Sequence, residues 1–205
     1  MRGTISVFLV DSSIRLSRGG KTSLEERPGS PFGRPDIAHR TVLSVTDSPL
    51  FRKGIVDLYL HTRDGRVFAF SGDVRPPRMY NRFKGLFAQL LRRGFVGGDK
   101  KLIWELNCRL KDILSGYDLV VLLDEKGARP DPLFLFRELL GELKVAFLIG
   151  CFPRGDFSGE VKEVADLRIS LSDLPLSAST TACMLLSYIY YVCERELRCL
   201  GGGIS

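Results

Sequence analysis

A chain of 205 residues that is 44% hydrophobic and 26% charged can bury one substantial core but is short for two, so a single domain with elaborations is expected. Apolar runs such as Ile5-Ser-Val-Phe-Leu-Val10 fall far short of the ~20 residues that cross a bilayer, and no cleavable signal follows Met1, so a cytoplasmic protein without membrane contact is expected. Five cysteines (Cys108, Cys151, Cys183, Cys193, Cys199) without a CxxC pair argue against a disulfide framework or a zinc knuckle. The net charge of +6 comprises 21 Arg against 9 Lys and is unevenly placed, residues 1–105 summing to +9 and residues 106–205 to −3. Arg offers a planar five-donor fork suited to phosphates and base edges, so a polyanion surface is expected in the first half and another ligand in the second.

In chain order, residues 5–10 read as a strand and the Gly, Ser, Pro and Arg-rich stretch 11–34 as a loop-rich excursion. Pro35 suits a first helical position, so residues 37–47 are expected to be helical, with Thr41, Val42 and Val45 keeping a strand open. Residues 55–62 and 66–71 alternate around Asp64-Gly65 and predict a hairpin with its turn at 63–66. After Pro76-Pro77, Phe83, Leu86, Phe87, Leu90 and Leu91 repeat at helical spacing and mark one buried face. A second amphipathic helix is expected over 102–114. Then come a strand at 119–123, a helix at 133–143, a strand at 145–149, a short strand at 167–171 and a helix at 176–196, an order that implies parallel strands covered by helices. The last helix is apolar nearly all round, which predicts burial on two sides and a homodimer. Gly201 to Gly203 read as a frayed tail.

Four constellations can carry chemistry. In Asp73-Val-Arg75-Pro-Pro-Arg78-Met-Tyr-Asn-Arg82-Phe-Lys84-Gly85, Arg78 and Arg82 lie four apart, on one helical face, and Arg75 precedes the helix, where exposed N–H groups also favour anions. RNA contact is the sharper reading, a solvated polar face the plainer one; Gly85, on the same face, would let RNA approach the backbone. In Gly33-Arg34-Pro35-Asp36 the carboxylate can hold the Arg34 fork in one orientation, or simply favour the helix N-terminus. Phe147-Leu-Ile-Gly150-Cys-Phe-Pro-Arg-Gly155-Asp156 leaves a hydrophobic strand through two glycines, at the position where open α/β sheets place ligands, but lacks the GxGxxG and P-loop spacings. Leu167-Arg-Ile169-Ser170-Leu171-Ser172-Asp173-Leu174-Pro-Leu-Ser-Ala178 passes from strand to helix and would bracket an adenine with apolar side chains and free backbone groups. With His39 and His61 the only histidines, and no GxSxG or HExxH, hydrolase and metalloenzyme readings lose their support.

Gly33-Arg-Pro-Asp36, Asp47-Ser-Pro49, Leu60-His-Thr62, Arg75-x-Pro-Arg78-x-Tyr-x-Arg82-Phe-x-Gly85, Ile149-Gly-x-Phe-Pro-x-Gly155 and Ile169-Ser-x-Ser-x-x-Pro-Leu-Ser-Ala178 together resemble the nucleolar-essential-protein family of SPOUT-class methyltransferases, over about residues 34–188. The resemblance implies one SPOUT-type α/β domain over 1–205, with a mainly parallel sheet flanked by helices and a C-terminal trefoil knot in the cofactor-binding half, 118–196. It implies a homodimer that uses S-adenosyl-L-methionine to methylate N1 of a pseudouridine in small-subunit rRNA during ribosome biogenesis, with ribosome assembly proteins as further partners. Carried over by position, Leu123, Gly150, Gly155, Ile169, Ser170, Leu171, Ser172, Asp173 and Leu174 correspond to cofactor contacts. Arg34, Arg75, Arg78 and Arg82 correspond to rRNA contacts, and Asp36 orients Arg34 or acts as a base. Cys151 departs from the smaller residue usual there and is expected to crowd the cofactor. The competing readings are an rRNA-binding assembly factor without methyl transfer and a SPOUT enzyme acting on tRNA, the latter disfavoured by the Arg75, Arg78 and Arg82 set.

Overall fold

The computed structural model describes residues 5–17, 20–27, 30, 32–131, 135–136 and 143–195. Its first apolar run becomes the centre of the molecule. Strand β1 (Ile5–Ser12) is buried along its whole length and lies between β4 (Val56–Thr62) and β9 (Val145–Gly150), parallel to both. A strand flanked on both edges and both faces has to be apolar nearly throughout. Beyond β9 lie β8 (Leu119–Ala128) and β10 (Leu167–Ile169), also parallel. On the other side β5 (Val67–Phe70), β7 (Lys101–Leu106) and β6 (Phe95–Gly97) continue antiparallel, giving the order β10-β8-β9-β1-β4-β5-β7-β6. The mainly parallel sheet expected from the sequence is therefore present, as is the β4–β5 hairpin.

The two faces of β1 seed two cores. Val7 and Leu9 face a large cluster with α1 (Pro35–Thr46), α3 (Tyr80–Arg93) and α6 (Ala178–Arg195), whereas Phe8 and Val10 face a smaller one with α4 (Leu110–Leu114) and α5 (Gly159–Glu163). Helix α1 starts at Pro35 and buries Ala38, Val42 and Val45, so the helical reading of 37–47 holds against its β-branched residues. A short α2 (Pro49–Arg52) follows, capped by Ser48, whose Oγ accepts from Phe51 N–H. Helix α3 buries Phe83, Phe87, Leu90 and Leu91 and stops at Gly94 in the left-handed conformation, φ 74°.

Three expectations need correction. Residues 101–106 are strand β7, not the start of a helix, and only 110–114 are helical; Leu102, Leu106 and Leu110 recur at helical spacing, but pairing with β5 and β6 on both edges decides the conformation. The 11–34 excursion contains a two-stranded antiparallel ribbon, β2 (Leu16–Ser17) and β3 (Gly20–Leu24), with Leu24 buried. Beyond it, Glu26 accepts from Tyr80 Oη at 2.7 Å and Lys84 Nζ at 2.8 Å, which seats the excursion on α3. Arg78 precedes α3 rather than sharing a helical face with Arg82 and Gly85, because Pro76-Pro77 keeps the chain extended and the helix begins at Tyr80. The helix expected at 133–143 lies largely, and the tail at 201–203 wholly, outside the described residues.

Candidate functional site

The carboxyl ends of β8, β9 and β10 and the first turn of α1 enclose a cleft of about 560 Å³. Its walls are the turn after β9, the segment between β10 and α6, and the side chains of Arg34, Ile37 and Arg40. Leu123, Gly150, Gly155, Ser170, Leu171, Ser172 and Leu174, all singled out from the sequence, line it. Ile169 does not: it is buried beneath the cleft, and its backbone passes so close to Gly127 that a Cβ there would sit 2.6 Å from it. Asp173 turns outward, exposed and 3.6 Å from Arg129.

The glycines serve the cleft in different ways. A Cβ on Gly150 would lie 2.9 Å from the rings of Phe152 and Phe157, which stand edge to face across the turn, so only a hydrogen lets backbone and rings meet. Gly155 has φ 101°, a conformation that side-chain-bearing residues rarely adopt. On the opposite wall Ser170 Oγ donates to Ser172 O at 2.6 Å and Leu174 N–H donates to Ser172 Oγ at 3.0 Å, folding the segment on itself with Leu174 68% exposed at the opening. A cleft of this volume, with backbone laid bare at Gly155 and apolar side chains opposite, fits a nucleoside with a flexible tail. Cys151 is not part of the cleft wall: the thiol is buried, near Ser12 of β1 and Thr41 of α1, and burial pushes it up to about 12. The thiol expected to crowd the cofactor thus stands outside the cleft lining, and, protonated at neutral pH, it is no nucleophile.

Arg34 Nε and Nη2 donate to the two oxygens of Asp36 at 2.8 and 2.9 Å, and Arg40 Nη2 adds a third bond at 3.0 Å. The Arg34 fork holds the Asp36 carboxyl below the usual carboxylate range, aided by the charge of Arg40. Arg75 donates to the carbonyls of Gly72 and Val74, and Arg78 is 3.2 Å from Asp47 at the far end of α1. Arg82 is exposed on α3 and makes no ion pair among the described residues. These three do not line the cleft; the link is α1, whose His39 is 2.8 Å from Pro77 O and whose length separates Arg34 from Asp47 by about 18 Å. The structure thus sets Arg34 at the cleft, beside Arg40 and Arg154, and Arg75, Arg78 and Arg82 beyond it. Asp124, Glu125 and Lys126, which also line the cleft, were missed: nothing in a run of charges after a strand distinguishes a cleft wall from a solvated turn.

The family model described as EMG1/NEP1 methyltransferase matches residues 13–189. A relative named ribosomal RNA small subunit methyltransferase Nep1, from Sulfurisphaera tokodaii, is 39% identical over 160 residues, 76% of this chain and 69% of its own. A relative of the same name from Aeropyrum pernix is 34% identical over 193 residues, 92% of this chain and 81% of its own. The crystal structure of Archaeoglobus fulgidus Nep1 bound to S-adenosylhomocysteine superposes with a TM-score of 0.80 at 27% identity, covering 94% of this chain and all of that one. On the matched residues and the shared fold, this chain belongs to the EMG1/NEP1 methyltransferase family.

Proposed function

We propose that this protein methylates N1 of a pseudouridine in small-subunit rRNA, taking the methyl from S-adenosyl-L-methionine. The observation that carries the reading is the meeting, in one cleft, of the Gly150–Gly155 turn and the Asp36-held guanidinium of Arg34. The relatives are named for the small-subunit RNA they methylate, and the neighbouring structure holds the demethylated donor. The open, left-handed Gly155, the turn that Gly150 lets pack on Phe152 and Phe157, and the apolar wall of Leu123, Leu171 and Leu174 fit that donor. S-adenosylmethionine supplies an electrophilic methyl on a sulfonium.

The chain's own residues do the rest. Pseudouridine is joined to ribose through carbon, so its N1 carries a proton, whose loss to solvent water leaves an anionic base. Arg34, fixed by Asp36, places a preorganised positive fork where that charge develops. Asp36 orients and does not accept the proton, because its pairing to Arg34 leaves it a weak base near neutrality. Arg75, Arg78 and Arg82 grip the phosphates outside the cleft and position the nucleotide, a contribution worth up to about 7–11 kcal/mol when two reactants are fully oriented.

The test is methyl transfer to a small-subunit rRNA hairpin that carries either pseudouridine or uridine at the target. Uridine N1 is bonded to ribose and has no proton to lose, so only the pseudouridine hairpin is expected to take up label. Equal labelling of both, or of neither at saturating donor, overturns the reading, and the second result favours a non-methylating assembly factor.

We infer two further features. A trefoil knot in the C-terminal half is supported by the pairing of β8 with both β9 and β10 and by the close crossing of Ile169 over Gly127. A homodimer is supported by α6, which buries Leu185, Ile189 and Val192 on one side, while Cys183, Ser187, Tyr190 and Tyr191 face a groove of about 510 Å³ against Ser44, Ser48 and Leu50. Equilibrium sedimentation is expected to give twice the chain mass, and Tyr191→Glu to shift it toward the monomer. The cellular place proposed is the cytoplasm, where no membrane contact is needed; among the described residues no helix is long and apolar enough to cross a bilayer.

A further inference from the structure

The Leu60-His61-Thr62 motif has no part in the site as described, yet His61 lies at the carboxyl end of β4, which only β1 separates from β9, the strand from which the donor loop hangs. The pairing of β1 with β4 jumps from Leu9–Leu60 to Ser12–Thr62, so Val10 and Asp11 oppose His61 alone, a β-bulge. Asp11 takes φ 52°, the one non-glycine residue with positive φ among the described residues. Asp is one of the few side chains that tolerate this conformation.

The bulge puts Asp11 to use in two directions. Its Oδ2 accepts from Ser158 N–H at 2.7 Å, and its own N–H donates to His61 Nδ1 at 3.3 Å. Asp11 is 1% and His61 2% exposed, so water does not compete for either bond. The segment 151–158, which contributes Phe152, Gly155 and Phe157 to the cleft, is thereby tied to the end of β1 at both of its own ends. Cys151 N–H donates to Val10 O at 2.9 Å and Ser13 N–H to Cys151 O at 3.2 Å at the near end, and the Asp11 carboxylate holds Ser158 at the far one.

We propose that Asp11 and His61 are positioning residues for methyl transfer, fixing the far end of the donor loop, and that a proton on His61 releases it. The proposal rests on the reading that this loop holds the donor. Neutral His61 accepts through Nδ1; the protonated ring has a donor at both nitrogens, so the Asp11 N–H would meet another N–H. The charged groups around the ring are Asp11 from β1, Asp64 from the turn after β4, and Glu160 of α5, whose Oε2 is 3.9 Å from Nε2; Arg109, before α4, acts on Glu160. Burial outweighs the three carboxylates and holds His61 below the ordinary histidine value, so the ring is neutral at pH 7. A depressed value means that the tie is intact above the usual histidine range and is lost as pH falls through the lowered one.

The experiment is calorimetric titration of the full chain with S-adenosylhomocysteine between about pH 5 and pH 8, with melting curves for every variant. Affinity is expected to fall toward the acid end in the wild type and to stay flat in His61→Asn, whose amide oxygen keeps an acceptor near Nδ1 without titrating. Asp11→Asn keeps both the backbone tolerance and an acceptor, and should bind like the wild type. Asp11→Gly keeps the backbone and deletes the acceptor, so it should bind about tenfold more weakly, the loss of one buried hydrogen bond, with faster amide exchange at Ser158. A flat wild-type profile, a His61→Asn profile that follows the wild type, or Asp11→Gly binding at wild-type strength overturns the proposal. If Asp11→Gly does not fold, the His61→Asn profile decides. Gly155→Val, strained at φ 101°, separates the two claims. Unchanged binding there defeats the donor-loop reading, whereas lost binding there with full binding in Asp11→Gly defeats only the positioning role.

Discussion

Arg34 is half exposed and Asp36 about a third, so as an ion pair the two contribute little to stability, and their value lies in orientation. A free arginine loses rotamer entropy when it meets a substrate; one already forked onto a carboxylate has lost it beforehand. Asp36→Ala is therefore expected to melt within about 1 kcal/mol of the wild type while binding target RNA about tenfold more weakly, with S-adenosylhomocysteine affinity unchanged. Filter binding and calorimetry on one preparation read both. Because the Asp36 carboxyl is held low, the pairing survives as pH falls through the ordinary carboxylate range and is lost only below it. The Arg34–Asp36 contact was legible in the sequence because two residues across a proline leave few ways for the side chains to meet. The third partner, Arg40, lies one helical turn beyond Asp36 and becomes visible only once residues 35–46 are helical.

Among the elements, α3 and β7 mark where local pattern succeeds and fails. The apolar stripe of α3 is long enough to fix its type and its buried face, and it misleads only at the start, where the two prolines delay the first turn. Strand β7 also carries leucines at helical spacing, Leu102 and Leu106, but six residues between two partner strands gain more from ladder hydrogen bonds than from a helix. Gly85 lies within α3, exposed, with nothing within 4 Å of where a Cβ would stand. Gly85→Ala is thus expected to stabilise the fold by about 1 kcal/mol, raising the melting temperature about 2–4 °C. If the glycine serves RNA, the same variant binds the hairpin more weakly, and melting and binding measured together separate helix propensity from contact.

Across the whole molecule, charge and topology divide the work. The basic first half supplies Arg34, Arg75, Arg78 and Arg82, and the less basic second half supplies the turns of the cleft, with α1 joining the two. Phosphate contacts release counterions, so Arg75→Ala, Arg78→Ala and Arg82→Ala are each expected to lower the log–log salt slope of RNA binding by about 1, and none to move S-adenosylhomocysteine affinity. Titrations at several salt concentrations check both statements. The sequence by itself determined the class of fold, the hairpin, the cleft glycines and the Arg34–Asp36 pair, because each depends on residues near one another in the chain. Tertiary structure alone decided that β1 runs between β4 and β9, that Cys151 turns away from the cleft, that Asp173 faces solvent, and that Asp11 reaches Ser158 across 147 positions. Those outcomes depend on which distant segments pack together, and pairing energy between remote strands leaves no periodic trace in either strand read separately.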